Sequence, residues 1–497
     1  MSTIAATLRG EGWLERYFGF AARGTTFARD TMAGVTTFVV MSYIIFVNPI
    51  ILTGVTHPPL GSPLAFGAVL TSTCLVAGVM SILMGLTTNY AYAIAPGMGL
   101  NAVVAYGLVA SGKASFPEAM GLVVLEGVAM VLLAVTGLRE LIFKAIPLEL
   151  KKAIAIGIGL FIAFIGLYNS GIIQSLPASA GQPVTLGSFT TWPIFVTIFG
   201  LVFTFALRAI RFRGDLIVGI IGTTIVATII NSSVAHHRAF GTSTATWPGW
   251  HHLYARPDFS LLGNISFHSF SNTQLGVIAS LVWVFSLFLS DFFDFSGTAI
   301  GVGKQAGYVD ENGNIPNFKR ALVVDGAAAM AGGFASSSSA TTFIESGSGV
   351  AAGGRTGWVA VVAGLLFFPF MFISPLIGMV PAQATAAALV VVGWLMISTL
   401  TEMEGEAEGR TASRLAGIDF HDLAIGLSAA LAIMVMPFTY SITNGIGFGF
   451  ITYTVICAAR REWKRIHPFM WVVTAAFVLY FLVPLLQQHV GWFGGHI

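Results

Sequence analysis

The chain reads as an all-α integral membrane protein of about fourteen transmembrane helices in two inverted repeats of seven, and three observations predict this. Its 497 residues are 55% hydrophobic and 9% charged, with a mean hydropathy of +0.82, whereas about a quarter of a soluble domain is charged. A water-exposed surface cannot be built from so few charges. The apolar residues gather in runs of roughly 17 to 25, the length that crosses a hydrocarbon core about 30 Å thick. Lys and Arg collect in short clusters between these runs, on the side where cytoplasmic loops carry them.

Taken in order, the apolar runs predict spans near 30–52, 64–88, 90–110, 118–137, 149–168, 190–207, 214–231, 275–300, 317–334, 338–353, 356–376, 384–400, 420–437 and 440–459, with one more stretch near 467–486. With the N-terminus inside, the cytoplasmic connections hold Arg139, Lys144, Lys151 and Lys152; Arg208, Arg211 and Arg213; Lys304, Lys319 and Arg320; Arg355; Arg410 and Arg414; and Arg460, Arg461, Lys464 and Arg465. The opposite side receives the uncharged loop 169–189 and the loop 232–274, which has two arginines. The expected organisation is a cytoplasmic segment 1–29, a first repeat 30–236, an external loop 237–274, a second repeat 275–461 and a C-terminal segment 462–497 with an extra hydrophobic helix. Seven spans per repeat is odd, so the second repeat enters the membrane upside down. A plasma (inner) membrane location is expected.

Two segments differ from ordinary spans: "NYAYAIAPGMGLNAVVAYG" around 89–107 and "SSSSATTFIESGSGVAAGG" around 336–354. Each opens with a short extended stretch and continues as a Gly-rich half-helix, the first expected to begin at Pro96 and the second at Glu345. These two residues lie 249 positions apart, half the chain. Irregular backbone at membrane depth is tolerated only where protein or a cavity satisfies it. Paired interrupted segments in the two halves point to a transporter's binding site.

Acids inside the spans are scarce: Glu126, Asp291, Asp294, Asp325 and Glu345. Ionisable groups at that depth usually face the protein interior and mark substrate or proton pathways. In "SLFLSDFFDFSGTAIGVG", Asp291, Asp294 and Thr298 fall at i, i+3 and i+7, one polar stripe on an apolar helix. Glu345 opens its half-helix, where the helix dipole favours a carboxylate and desolvation opposes it; such a group can load and release a proton. Asn101, with both a donor and an acceptor, suits the edge of a heterocycle. Glu126, Asp291 and Asp325 can equally tie helices together.

Other classes are set aside on the same page. The net charge of +2, without a basic tract, does not suit nucleic acid. Cys74 and Cys457 both fall inside spans and predict neither a disulfide framework nor a cysteine metal site. The histidine pairs His236–His237 and His251–His252 are adjacent in sequence, so they do not share a face, and no metal is expected there. "EMEGEAEG" at 402–409 reads as a solvated cytoplasmic loop. The arginine-bearing N-terminus lacks the apolar core and cleavage site of a secretory signal.

The motifs "RGTTFARDTMAGVTTFVVMSYIIFVNPIIL", "APGMGLNAVVAYG", "KKAIAIGIGLFIAFIGL", "DFFDFSGTAIGVG", "TTFIESGSGVAAGGRTG" and "MPFTYSITNGIGFGFITY" run through nearly the whole chain. In these it resembles the AzgA-like purine permeases, nucleobase–cation symporters with the uracil-permease fold. The resemblance implies a core domain of spans 1–4 and 8–11, a gate domain of spans 5–7 and 12–14, and import of adenine, guanine or hypoxanthine with protons. Carried over by position, the span-8 acid is Asp294, the span-10 acid Glu345 and the span-3 asparagine Asn101. The chain departs from the usual pattern at Phe295–Ser296 and at the "SGSG" that follows Glu345.

The expected ligand is therefore a purine nucleobase, bound by Asp294, Glu345, Asn101, Thr298 and Thr342 with Phe343 to stack on it. Glu345, Asp294, Asp291 and Asp325 are the groups expected to serve proton coupling. Protons are the coupling ion, and no cofactor, metal or catalytic residue is expected. Membrane lipid surrounds the chain, and a homodimer is one assembly open to it. An anion permease of the same fold is the competing transport reading, but two carboxylates oppose an anion. An intramembrane enzyme would use Asp291 and Asp294 as a metal pair, which the surrounding phenylalanines oppose.

Overall fold

A computed structural model of the chain describes residues 12–54, 64–136, 145–176, 182–233, 239–240, 244–271, 275–308, 315–402 and 418–490. Arg139, Lys144, Arg410, Arg414, His236, His237 and nearly all of the acidic run at 402–409 lie outside them.

Nearly every predicted span is met by a helix. In the first half these are α1 (Trp13–Phe18), α2 (Phe27–Met41), α3 (Ile44–Thr53), α4 (Phe66–Thr88), α5 (Met98–Ala102) continuing as a π-helix over Val103–Ala110, α6 (Phe116–Thr136), α7 (Leu148–Asn169), α8 (Trp192–Ala209) and α9 (Asp215–Ser233). In the second half they are α10 (Gly276–Ala306), α11 (Phe318–Phe334), α12 (Ser346–Ala351), α13 (Trp358–Phe367), α14 (Ser374–Gly378), α15 (Ala382–Glu402), α16 (Leu423–Phe438), α17 (Ile442–Ala459) and α18 (Pro468–Val490). Among the described residues, eight helical stretches are long and apolar enough to cross a membrane, and five shorter apolar ones accompany them. This is a multi-pass membrane protein. The extra hydrophobic stretch forms α18, which packs on α17 and α10 with Phe477 fully buried.

Two short strands, β1 (Ile94–Pro96) and β4 (Ala340–Thr342), precede α5 and α12 and pair antiparallel, Ile94 with Thr342 and Pro96 with Ala340. Their backbone is satisfied by protein at membrane depth, as hydrocarbon demands. Ser81 Oγ accepts from the Ile94 N–H at 2.8 Å and donates to its carbonyl at 2.9 Å, and Gly97 N donates to Ser339 O at 2.8 Å. Pro96 was expected to open the first half-helix; it closes β1 instead, and the helix starts at Met98 after Gly97. Proline has no N–H to give, and at the end of an edge strand none is missed. A second hairpin, β2 (Ile173–Ser175) with β3 (Val184–Leu186), lies in the loop after α7.

Packing sorts the helices into two groups. The first contains α2–α6 and α10–α14 around the crossed strands, with α6 on α11 and α4 on α13 as its main contacts; the second contains α7–α9 and α15–α17, with α7 against α15 and α16.

Candidate functional site

The crossed strands aim their half-helices at one cavity. Its walls come from both packing groups: Tyr43 before α3, Gly97, Met98 and Gly99 around the start of α5, Phe293, Asp294, Gly297 and Thr298 on α10, and Thr342 to Glu345 between β4 and α12 on one side, with Ala155, Ile162, Val392 and Met396 of α7 and α15 facing them. The cavity measures about 80 Å³, several times the ~10–15 Å³ that one water requires.

Two carboxylates reach this space. Glu345 stands at the N-cap of α12 but makes no side-chain cap bond to it; its Oε1 accepts from Tyr43 Oη at 2.7 Å. Asp294 is half-buried, and no hydrogen bond from the described residues reaches its carboxylate, which leaves both oxygens for whatever enters. Thr298, one turn along α10, adds a hydroxyl. Phe343 lines the cavity and lies 6.4 Å from Tyr43, ring centroid to centroid, at 38°. An aromatic face, two acceptor groups and the Thr298 hydroxyl converge on a compact apolar hollow. That donor–acceptor set matches a flat heterocycle bearing N–H groups.

Five sequence-predicted residues, Asp294, Glu345, Thr298, Phe343 and Thr342, thus share one cavity. Asn101 does not line it. It is fully buried and donates from Nδ2 to Asn48 Oδ1 at 2.6 Å, because two positions past Gly99 turn it about 200° round the helix. Asp291 shares the stripe of Asp294 but lies a turn deeper, and with Glu126 and Asp325 it forms a sealed cluster behind the strands. Ser339 donates to Glu126 Oε1 at 3.0 Å; the Thr342 N–H and hydroxyl donate to Asp325 Oδ1 at 2.9 and 3.0 Å. Sequence reasoning missed Tyr43 and Asn48. Their signal was available: each sets a polar side chain inside an apolar run, "SYIIFVN".

A second, wider cavity of about 620 Å³ meets the first at Ile344 and Glu345 and is rimmed by Arg208, Arg211, Arg213 and Lys304. Arg208 pairs with Asp215 at 3.0 Å; Arg211, Arg213 and Lys304 are exposed. His251 and His252 sit exposed in a short 3-10 turn.

Sequence comparison identifies the chain at the family level. The Permease family (Xan_ur_permease) matches residues 29–408, which include every cavity-lining residue. The chain belongs to this family. The permease is 36% identical to the guanine/hypoxanthine permease PbuG of Bacillus subtilis over 94% of its own length and 99% of that protein. It is likewise 36% identical to the adenine permease AdeP of Escherichia coli K12, over 95% and 96% of the two chains. These relatives are transporters, not enzymes. Among solved structures, the transmembrane domain of the cyanobacterial bicarbonate transporter BicA aligns with 85% of the permease and 96% of its own chain at a TM-score of 0.57 and 13% identity. The murine anion transporter Slc26a9 in its inward-facing state aligns with 87% of the permease and 69% of its own chain at 0.58 and 11%. At such identities the likeness is one of fold.

Proposed function

We propose that this permease is a secondary active transporter that imports purine nucleobases with protons by alternating access. The cavity between the half-helices carries the reading, and the near-full-length likeness to proteins named adenine and guanine/hypoxanthine permeases supports it. A purine offers N–H donors at its edge and a π-face. Asp294 accepts from that edge, Glu345 accepts with the oxygen that Tyr43 leaves open, Thr298 adapts as donor or acceptor, Thr342, whose hydroxyl proton goes to Asp325, lines the wall, and Phe343 stacks.

The proton is assigned to Glu345, with Asp294 beside it, because both carboxylates face a cavity through which water and protons can come and go. One proton per neutral purine moves one positive charge inward, worth about 2.3 kcal/mol or roughly 50-fold accumulation at −100 mV. The two packing groups, meeting across the cavity, suit a core that rocks against a gate. Fourteen spans in two inverted repeats, 30–236 and 275–461, with a cytoplasmic N-terminus in the plasma membrane, complete the reading. The basic rim beside Glu345 then faces the cytoplasm, and the site opens inward.

The test is uptake of labelled adenine, guanine, hypoxanthine, xanthine and uracil by a transport-null cell, with and without a proton uncoupler. Accumulation of one or more purines in preference to uracil, collapsing with the uncoupler, is expected. Uptake of none of the purines, or accumulation indifferent to the uncoupler, contradicts the proposal.

A further inference from the structure

The carboxyl cluster behind the strands has a donor shortfall that the cavity does not explain. Asp325 is fully supplied: Thr341 Oγ1 donates to Oδ2 at 3.2 Å, and the N–H and hydroxyl of Thr342 donate to Oδ1. Asp291 lies within reach of Glu126 and of the Thr341 hydroxyl, but that hydroxyl's one proton goes to Asp325, so neither Asp291 oxygen, nor Glu126 Oε2, meets a donor among the described residues. Glu126, Asp291 and Asp325 are each 0% exposed. No Lys, Arg or His of the described residues pairs with them; the charged groups that face Asp291 are Glu126 from α6, Asp325 from α11 and Asp294 one turn along its own helix. Two carboxylates within hydrogen-bonding reach in a dry interior do not both ionise, and a buried acceptor without a donor is destabilising. A single proton between them removes both penalties.

We infer that Glu126 and Asp291 share one resident proton, which stays with the protein through the transport cycle and ties α6 and α10 to the crossed strands. Asp325, with its donors, stays an anion. The location separates this proton from the transported one: none of the three carboxyls lines either cavity of the site, whereas Asp294 and Glu345 do. Asp291 and Asp325, expected from the sequence to serve coupling, are thereby positioning residues. Asp325 holds Thr341 and Thr342, and through Thr342 the cavity wall. The inference depends on the proton-transport reading only in calling this proton resident; the shared proton itself does not depend on the substrate.

Infrared spectroscopy of the full-length protein in lipid tests both parts. In the Asp294→Asn, Glu345→Gln background, so that neither cavity carboxyl contributes, a protonated-carboxyl C=O band is expected from mildly acid to mildly alkaline pH. It should exchange slowly in heavy water and vanish on adding Glu126→Gln. In the otherwise wild-type protein, Glu126→Gln alone should keep proton-driven accumulation within about twofold, since the amide supplies the donor the acid supplied. A background protein without the band overturns the shared proton, whether or not the Glu126 variant folds. A Glu126→Gln protein that exchanges substrate but no longer concentrates it makes this the transported proton and overturns its residence.

Discussion

Asp294 lines the cavity with no hydrogen bond from the described residues, so no contact of the fold depends on its carboxylate. Asp294→Asn should abolish uptake while membrane insertion and yield stay at wild-type levels. Thr298→Ala removes only an auxiliary hydroxyl and should raise KM more than it lowers maximal rate; labelled-purine kinetics alongside surface quantification separates the two. Equal losses would show that the threonine carries as much as the acid. Both residues were legible from sequence because an acid and a hydroxyl on one stripe of a phenylalanine-rich helix have few bland explanations. Asn101 stands outside the cavity for an equally physical reason: spacing gives the turn of a helix but not which neighbour, here Asn48, takes the amide. Tyr43 was missed because a tyrosine in an apolar run passes for core until Glu345 is found at its hydroxyl.

At the level of elements, the α7–α15 wall of the cavity rests on a close approach of these two helices. A Cβ on Gly159 would press on the carbonyl oxygen of Gly393, and one on Gly393 on that of Gly159, so the helices meet backbone to backbone, as small residues permit in membranes. Gly393→Ala should cost about 1–3 kcal/mol through overpacking, read as a lower thermal midpoint in detergent and reduced transport by the folded fraction. An unchanged midpoint would mean that the helices separate freely there. At the opposite end of the gate, Asp422 caps α16 through the Ala424 N–H at 2.9 Å and meets Arg465 at 2.5 Å. Partial burial pushes its carboxyl up, but the Arg465 and Ala424 hydrogen bonds outweigh that and hold it below its ordinary range. The contribution to stability is therefore present above the unfolded-state pKa of Asp and lost as pH falls through the lower folded value. Arg465→Ala should remove less than about 1 kcal/mol, given the exposure of both partners, and should flatten the acid limb of a thermal-stability profile. Most apolar runs were readable from hydropathy as helices, because hydrocarbon imposes one length, although α10 runs six residues past its predicted end, to Ala306. The start of the first half-helix was not: proline fits both the end of an edge strand and the first turn of a helix, and only the pairing with Ala340 distinguishes them.

For the whole molecule, we propose that proton and purine meet in the cavity between the half-helices and that Glu345 links them. Two bodies packed across that cavity, one holding both half-helices and one holding α7 and α15, give the architecture through which such a link would become directional transport. Composition foretold the membrane, and the short extended stretches before the half-helices were legible while their pairing with each other was not; the division of side chains between an open cavity and a sealed cluster depends on depth along α10, which no periodicity encodes. The most direct measurement compares proton-driven accumulation with counterflow for Glu345→Gln in proteoliposomes. The amide keeps the shape and mimics the protonated acid without titrating. Counterflow of purine should persist with little dependence on pH between about 5 and 8, while accumulation against a gradient disappears. Accumulation retained at the wild-type level would contradict the assignment of the coupled proton to Glu345.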